Sequence, residues 1–166
     1  MKTKRLVMSS LFAAIVFLAT VILKMPSFVG GGYINLGDSV ILISAFLLDP
    51  ISSGLAAGIG SFIADLVVGA SVYAVPTFII KFLIGFVVGN MFKKMSSTKI
   101  NLSRIIMCGI VGELIMVLGY FLYEIFLYGI STALVSSLLA LVQASASVLV
   151  STVFYIKVLK NKSLHK

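Results

Sequence analysis

The chain has 166 residues, 60% of them hydrophobic and only 11% charged. Soluble domains carry about 25% charged residues, and a water-soluble core of this size cannot bury so much apolar surface, so the bilayer is the solvent that fits. The net charge of +8 comes from 13 Lys and Arg against 5 Asp and Glu. The basic residues sit in short clusters beside apolar runs, which excludes the basic, polar face of a nucleic-acid binder. Cys108 is the only cysteine and His165 the only histidine, so no disulfide framework, metal site or cofactor is expected.

Helix 1 spans about 5–24. Its uncharged run from Leu6 to Leu23 is longer than a usual signal-peptide core, and Met25-Pro26 offers no small-residue cleavage site, so it reads as a retained helix. It carries Ser9-x-x-x-Ala13 and Ser10-x-x-x-Ala14, spacings that let helix backbones approach closely. The loop from Pro26 to Asn35 follows. Its glycines Gly30, Gly31 and Gly32 free the backbone to approach a ligand, with Tyr33 and Asn35 beside them.

Helix 2 spans about 36–48 and helix 3 about 50–69, divided at Asp49-Pro50. Asp suits a helix cap and Pro the first helical position. Helix 3 carries Gly54-x-x-x-Gly58 and Gly60-x-x-x-Ala64, again close-packing signals. Helix 4 spans about 75–92, helix 5 about 103–127 and helix 6 about 132–158, the last two parted by Gly129-Ile130-Ser131-Thr132.

Three basic clusters set the expected topology: Lys2, Lys4 and Arg5; Lys93, Lys94, Lys99 and Arg104; Lys157, Lys160, Lys162 and Lys166. Positive loops stay in the cytoplasm, so an even number of spans separates neighbouring clusters. The expectation is one all-α membrane domain over 1–166, with six transmembrane helices, one of them short, and cytoplasmic N and C termini.

Charges inside a bilayer are costly and usually functional. Asp38, Asp65, Lys81 and Glu124 fall in the outer half of this arrangement, with Glu113 and Gln143 near the middle. Glu113, Met116, Val117, Tyr120 and Glu124 share one face of helix 5. Thr77, Lys81 and Gly85 share one of helix 4, and Gly58, Ser61 and Asp65 one of helix 3. Asp65 and Lys81 have similar depth on neighbouring helices, so an ion pair between them is expected. Glu113 is read as a buried acid bonded to a neighbouring helix. Tyr73, Tyr123 and Tyr128 also lie on the outer side, and Tyr128 reads as an interfacial belt residue.

The chain resembles the substrate-binding (S) components of energy-coupling-factor (ECF) vitamin transporters. The resemblance rests on size, six spans and three stretches: Tyr33-Ile34-Asn35-Leu36-Gly37-Asp38-Ser39, Gly58-Ile59-Gly60-Ser61-Phe62-Ile63-Ala64-Asp65-Leu66 and Ala74-Val75-Pro76-Thr77-Phe78-Ile79-Ile80-Lys81. It is similar to the branch that takes riboflavin-type and small-ring precursors, hydroxymethylpyrimidine and vitamin B6 forms among them. The resemblance implies an importer subunit in a bacterial plasma membrane, with a transmembrane scaffold subunit and two ATPase subunits as partners. This chain has no phosphate-binding loop of its own, so ATP hydrolysis falls to those partners and the chain is no enzyme. The family's small-residue motif on the first helix, which touches the scaffold, maps to Ser9 and Ala13, or to Ser10 and Ala14.

The same resemblance implies an outer pocket built by the loop after helix 1 and by helices 4 to 6. Gly31 would close over a small, mostly uncharged heteroaromatic ring lying against Tyr33, Tyr73 and Tyr120. Asn35, Lys81, Glu124 and Gln143 would orient it, with Asp38 and Asp65 behind them and Asp65 holding Lys81. The rival readings are a small proton-coupled exporter, an intramembrane aspartyl hydrolase using Asp38 and Asp65, and a structural membrane subunit. Helix 1 lacks a charge after Arg5 until Lys24, which disfavours the first, and no motif supports catalysis.

Overall fold

A computed structural model describes residues 2–26, 33–95 and 101–160. Six α-helices dominate these residues: α1 (Lys2–Ile22), α2 (Gly37–Leu47), α3 (Pro50–Val67), α4 (Ser71–Met95), α5 (Leu102–Tyr128) and α6 (Ile130–Phe154), the last continuing as a π-helical turn, Tyr155–Lys160. Two short strands, β1 (Met25–Pro26) and β2 (Tyr33–Ile34), pair antiparallel after α1. This ladder was not foreseen from the sequence; it draws the two ends of the glycine-rich loop together.

Among the described residues, five helices are long and apolar enough to cross a membrane, and α2 is the short sixth. Apolar side chains point outward along their length; Phe126 is 85% exposed. Water would not tolerate such a surface, and acyl chains suit it. The 11-residue α2 is wrapped by the others, with eight of its residues buried, Asp38, Ile41, Leu42 and Phe46 among them. Its backbone groups bond within the helix, as a membrane interior requires.

The helix ends follow local chemistry. Asp49 caps α3, its Oδ1 accepting the Ser52 amide at 3.2 Å, with Pro50 at the first helical position. At the other end of α3, Gly69 takes φ +84° and the Ala70 amide donates back to the Asp65 carbonyl at 2.8 Å. That is a glycine-terminated Schellman closure. Gly129, at φ +83°, alone turns α5 into α6.

Helix α4 starts at Ser71 rather than near 75, so Pro76 lies inside it. A proline cannot donate to the carbonyl four residues back. The Tyr123 hydroxyl takes that vacancy, donating to the Val72 carbonyl at 2.6 Å. A side chain from α5 thus supports an extra turn that the proline would otherwise disfavour.

Small residues set the closest helix contacts. Gly54 and Gly58 of α3 receive the rings of Phe82 and Phe78 from α4, and a Cβ on Gly85 would lie 2.8 Å from the Ser53 carbonyl. A Cβ on Gly60 would lie 2.5 Å from the Ala13 carbonyl, so α1 rides directly on α3 there.

The two ends of the bundle differ. At one end Arg5 pairs with Asp49. Phe46, Phe92 and Tyr155 cluster with ring centroids 5.0–6.2 Å apart, and Cys108 Sγ lies 3.7 Å from Met95 Sδ. The starts of α1, α3 and α5 and the ends of α2, α4 and α6 therefore meet here, with Lys93, Lys94, Arg104 and Lys157 beside them. Polar side chains collect at the opposite end.

Candidate functional site: a polar cavity at one end of the bundle

A cavity of about 70 Å³ opens at the end opposite the basic clusters. Every long helix contributes to its walls, and the segment leading into α2 adds Asn35. Thr20 comes from the last turn of α1, Tyr33 from β2 and Asn35 from the segment leading into α2. Ser61 and Asp65 come from α3, a helical turn apart. Tyr73, Thr77 and Lys81 follow at intervals of four on α4, and Met116, Tyr120 and Glu124 do so on α5. Ser136, Leu139, Ala140 and Gln143 line it from α6.

The polar groups pair in several short hydrogen-bonded clusters around the cavity. Lys81 Nζ donates to Asp38 Oδ1 at 2.6 Å, and Gln143 Nε2 donates to Asp38 Oδ2 at 2.5 Å. Gln143 Oε1 accepts the Asn35 amide at 2.8 Å, and Asn35 Oδ1 accepts the Gly37 amide at 2.8 Å, which anchors the start of α2. Tyr33 donates its hydroxyl to Asp65 Oδ1. Burial raises the Tyr33 hydroxyl above its ordinary pKa, and the bond to Asp65 adds to this, so it stays a proton donor. The Tyr73 hydroxyl donates to Glu124 Oε1 at 3.1 Å. Thr77 and Tyr120 share a hydroxyl hydrogen bond at 3.0 Å, and the Tyr120 ring lies 5.3 Å below the Lys81 ammonium. The Tyr73 and Tyr120 rings stand 6.4 Å apart and offer aromatic surface.

Seven of the residues expected to bind substrate line this one cavity: Tyr33, Asn35, Tyr73, Lys81, Tyr120, Glu124 and Gln143. Gly31, with the rest of the glycine run, lies outside the described residues. Three expectations change. Lys81 pairs with Asp38 rather than Asp65, because α2 is inserted between the long helices and puts Asp38 directly against α4. Asp65 turns to Tyr33 and forms part of the cavity wall itself, instead of holding Lys81 from behind. Glu113 is buried, as expected of an acid in the bundle, but neither of its oxygens has a hydrogen-bond partner.

Thr20, Ser61, Thr77, Met116, Ser136, Leu139 and Ala140 were not foreseen as lining. Ser61 and Thr77 share helical faces with Asp65 and Lys81, and Met116 shares that of Tyr120, so spacing alone offered a signal for these three.

The small-residue face of α1 also resolves. Ala13 packs against Gly60 of α3, while Ser10 and Ala14 stand exposed.

An apolar helical bundle with a polar, aromatic cavity at one end is the form of a membrane-embedded small-molecule binding protein. Residues 1–161 match the family described as "ECF-type riboflavin transporter, S component", and the chain belongs to that family. A Pyrococcus woesei protein described as "Uncharacterized protein in gap 3'region" is 34% identical over 135 residues, covering 81% of this chain and 88% of its own length. The fold also matches a solved structure of the S component of a bacterial ECF transporter, with a TM-score of 0.71 over 100% of this chain and 99% of that one, at 22% identity. At that identity the likeness is one of fold. The chain is thus a transporter subunit with substrate binding as its task, not an enzyme.

Proposed function

We propose that this subunit captures a small heteroaromatic vitamin or vitamin precursor, of the vitamin B6 or hydroxymethylpyrimidine type, in the cavity at the end opposite the basic clusters. The observation that carries this reading is the cavity itself: fifteen residues from the five long helices and the segment between α1 and α2 converge on it, four of them carrying Lys, Asp, Glu or Gln side chains inside an apolar bundle. Its volume of about 70 Å³ holds roughly five to seven water-sized spheres. The Tyr73 and Tyr120 rings beside it suit a flat aromatic ligand.

Lys93, Lys94, Arg104 and Lys157 mark the cytoplasmic end by the positive-inside rule, so the cavity faces outward across the plasma membrane of a bacterium. Delivery inward needs a scaffold subunit and two ATPase subunits. The exposed Ser10 and Ala14 of α1 are the register that a partner helix reaches, whereas Ala13 is engaged with Gly60 of α3 and Ser9 is half-buried. Equilibrium titration of the purified protein in lipid nanodiscs tests the reading. A pyridine- or pyrimidine-based vitamin compound should bind more tightly than riboflavin. Riboflavin binding with no response to single-ring compounds would overturn the substrate choice.

A further inference from the structure

The charges around the cavity do not balance, and the imbalance describes the edge of the ligand. Lys81 is the one ammonium among the described lining residues, and Asp38 already holds it at 2.6 Å. Asp65 and Glu124 are left without a cation. Each accepts a hydrogen bond from a phenol, Tyr33 and Tyr73 respectively, which eases but does not neutralise a carboxylate. Asp65 is 3% exposed and lines the cavity, and its Oδ2 has no hydrogen-bond partner. A buried carboxylate oxygen without a donor is costly in an apolar bundle. Thr77 also interacts with Asp65, but its hydroxyl is shared with Tyr120, which leaves Oδ2 open to a further donor from whatever fills the cavity.

We infer that the ligand is a single heteroaromatic ring bearing an amino group, whose N–H donors bond to Asp65 Oδ2 while the ring lies against Tyr73 and Tyr120, and that rings bearing a carboxylate or phosphate are rejected. An anionic ring would meet two carboxylates with no unpaired cation among the described lining residues to receive it, and like charges at close range in low dielectric repel strongly. An amino edge meets a free acceptor and aromatic faces that favour positive charge. This inference rests on the cavity being the substrate site and narrows the ligand class within that reading.

The test is a titration of the full chain in nanodiscs with two chemical series. Pyridoxamine, pyridoxine and 4-pyridoxic acid share a ring and differ in one substituent: amine, hydroxyl or carboxylate. The 4-amino and 4-hydroxy forms of 5-hydroxymethyl-2-methylpyrimidine make the second pair. In at least one series the amino compound should bind at least about tenfold more tightly than its hydroxyl counterpart, and 4-pyridoxic acid should not bind. Asp65→Asn should abolish that preference, and Tyr33→Phe, which frees the second Asp65 oxygen, should widen it. Equal or better binding of the hydroxyl or carboxylate compounds overturns the amino assignment and leaves the site intact. So does a preference that survives Asp65→Asn or narrows in Tyr33→Phe. Failure of every compound to bind folded wild-type protein overturns the site itself, and the amino assignment with it.

Discussion

Lys81 and Asp38 form an ion pair closed to solvent, with Nζ 2.6 Å from Oδ1 and side chains 4% and 0% exposed. Gln143 occupies the other Asp38 oxygen, so the pair ties α4, α2 and α6 together beneath the cavity. Removing one partner strands a buried charge, at a cost of about 3–5 kcal/mol. Lys81→Met should therefore lower thermal stability sharply, and Lys81→Met with Asp38→Asn should recover most of the loss. Thermal unfolding in one detergent compares the variants. A double variant no more stable than the single one would show that the pair is not the coupling.

Asp49 sits between α2 and α3, where burial alone would raise its pKa. The hydrogen bonds from Arg5 and Ser52 outweigh that effect and hold the carboxyl at about 2, below the ordinary 3.8. A folded-state pKa below the unfolded one gives stability that is complete above the unfolded value. It is lost as pH falls through the folded value. The Asp49 contribution should be constant above about pH 5 and fade between about pH 4 and about pH 2. Asp49→Asn should flatten that part of the profile, by a small amount because the pair with Arg5 is largely exposed. Unfolding midpoints across this range, wild type against variant, measure it; parallel profiles would contradict the assignment.

The two small-residue registers of α1 should behave differently. Ala13→Trp drives a ring into the contact with Gly60 and should destabilise the bundle by about 1–3 kcal/mol or more. Ala14→Trp projects from an exposed position; it should leave ligand binding and thermal stability unchanged but weaken co-purification with a scaffold subunit. Normal co-purification of Ala14→Trp would place the docking surface elsewhere.

Sidedness is open to labelling. In a Cys108→Ala background, Ser131→Cys lies at the cavity end and Ser103→Cys at the basic end, both exposed. An impermeant thiol reagent added to intact cells should modify the first and spare the second. The reverse pattern would invert the topology.

Much of the site was legible because polar side chains stand out in apolar runs. Lys81, Tyr120, Glu124 and Gln143 each interrupt a long hydrophobic segment, and their positions along the helices gave a common depth. Depth does not give direction around the bundle. The sequence put Asp65 and Lys81 at one level, but which neighbour Lys81 faces depends on where the short α2 inserts, and that is a tertiary property. Thr20 and Ser136 were missed because lone hydroxyls are ordinary in membrane helices, and Leu139 and Ala140 because apolar lining looks like core. The start of α4 was misplaced for a similar reason. What carries the helix past Pro76 is Tyr123, 47 positions later in the chain, which takes the Val72 carbonyl.

Native mass spectrometry of the protein released from detergent or nanodiscs tests most directly whether this cavity holds a small ring. Protein purified from cells supplied with vitamin B6 and hydroxymethylpyrimidine should carry one small-molecule adduct per chain. Gln143→Leu, which removes the group joining Asn35 to Asp38 at the cavity wall, should lose that adduct while remaining folded. Wild-type protein that emerges bare, and that binds no ring compound on subsequent titration, would contradict the account.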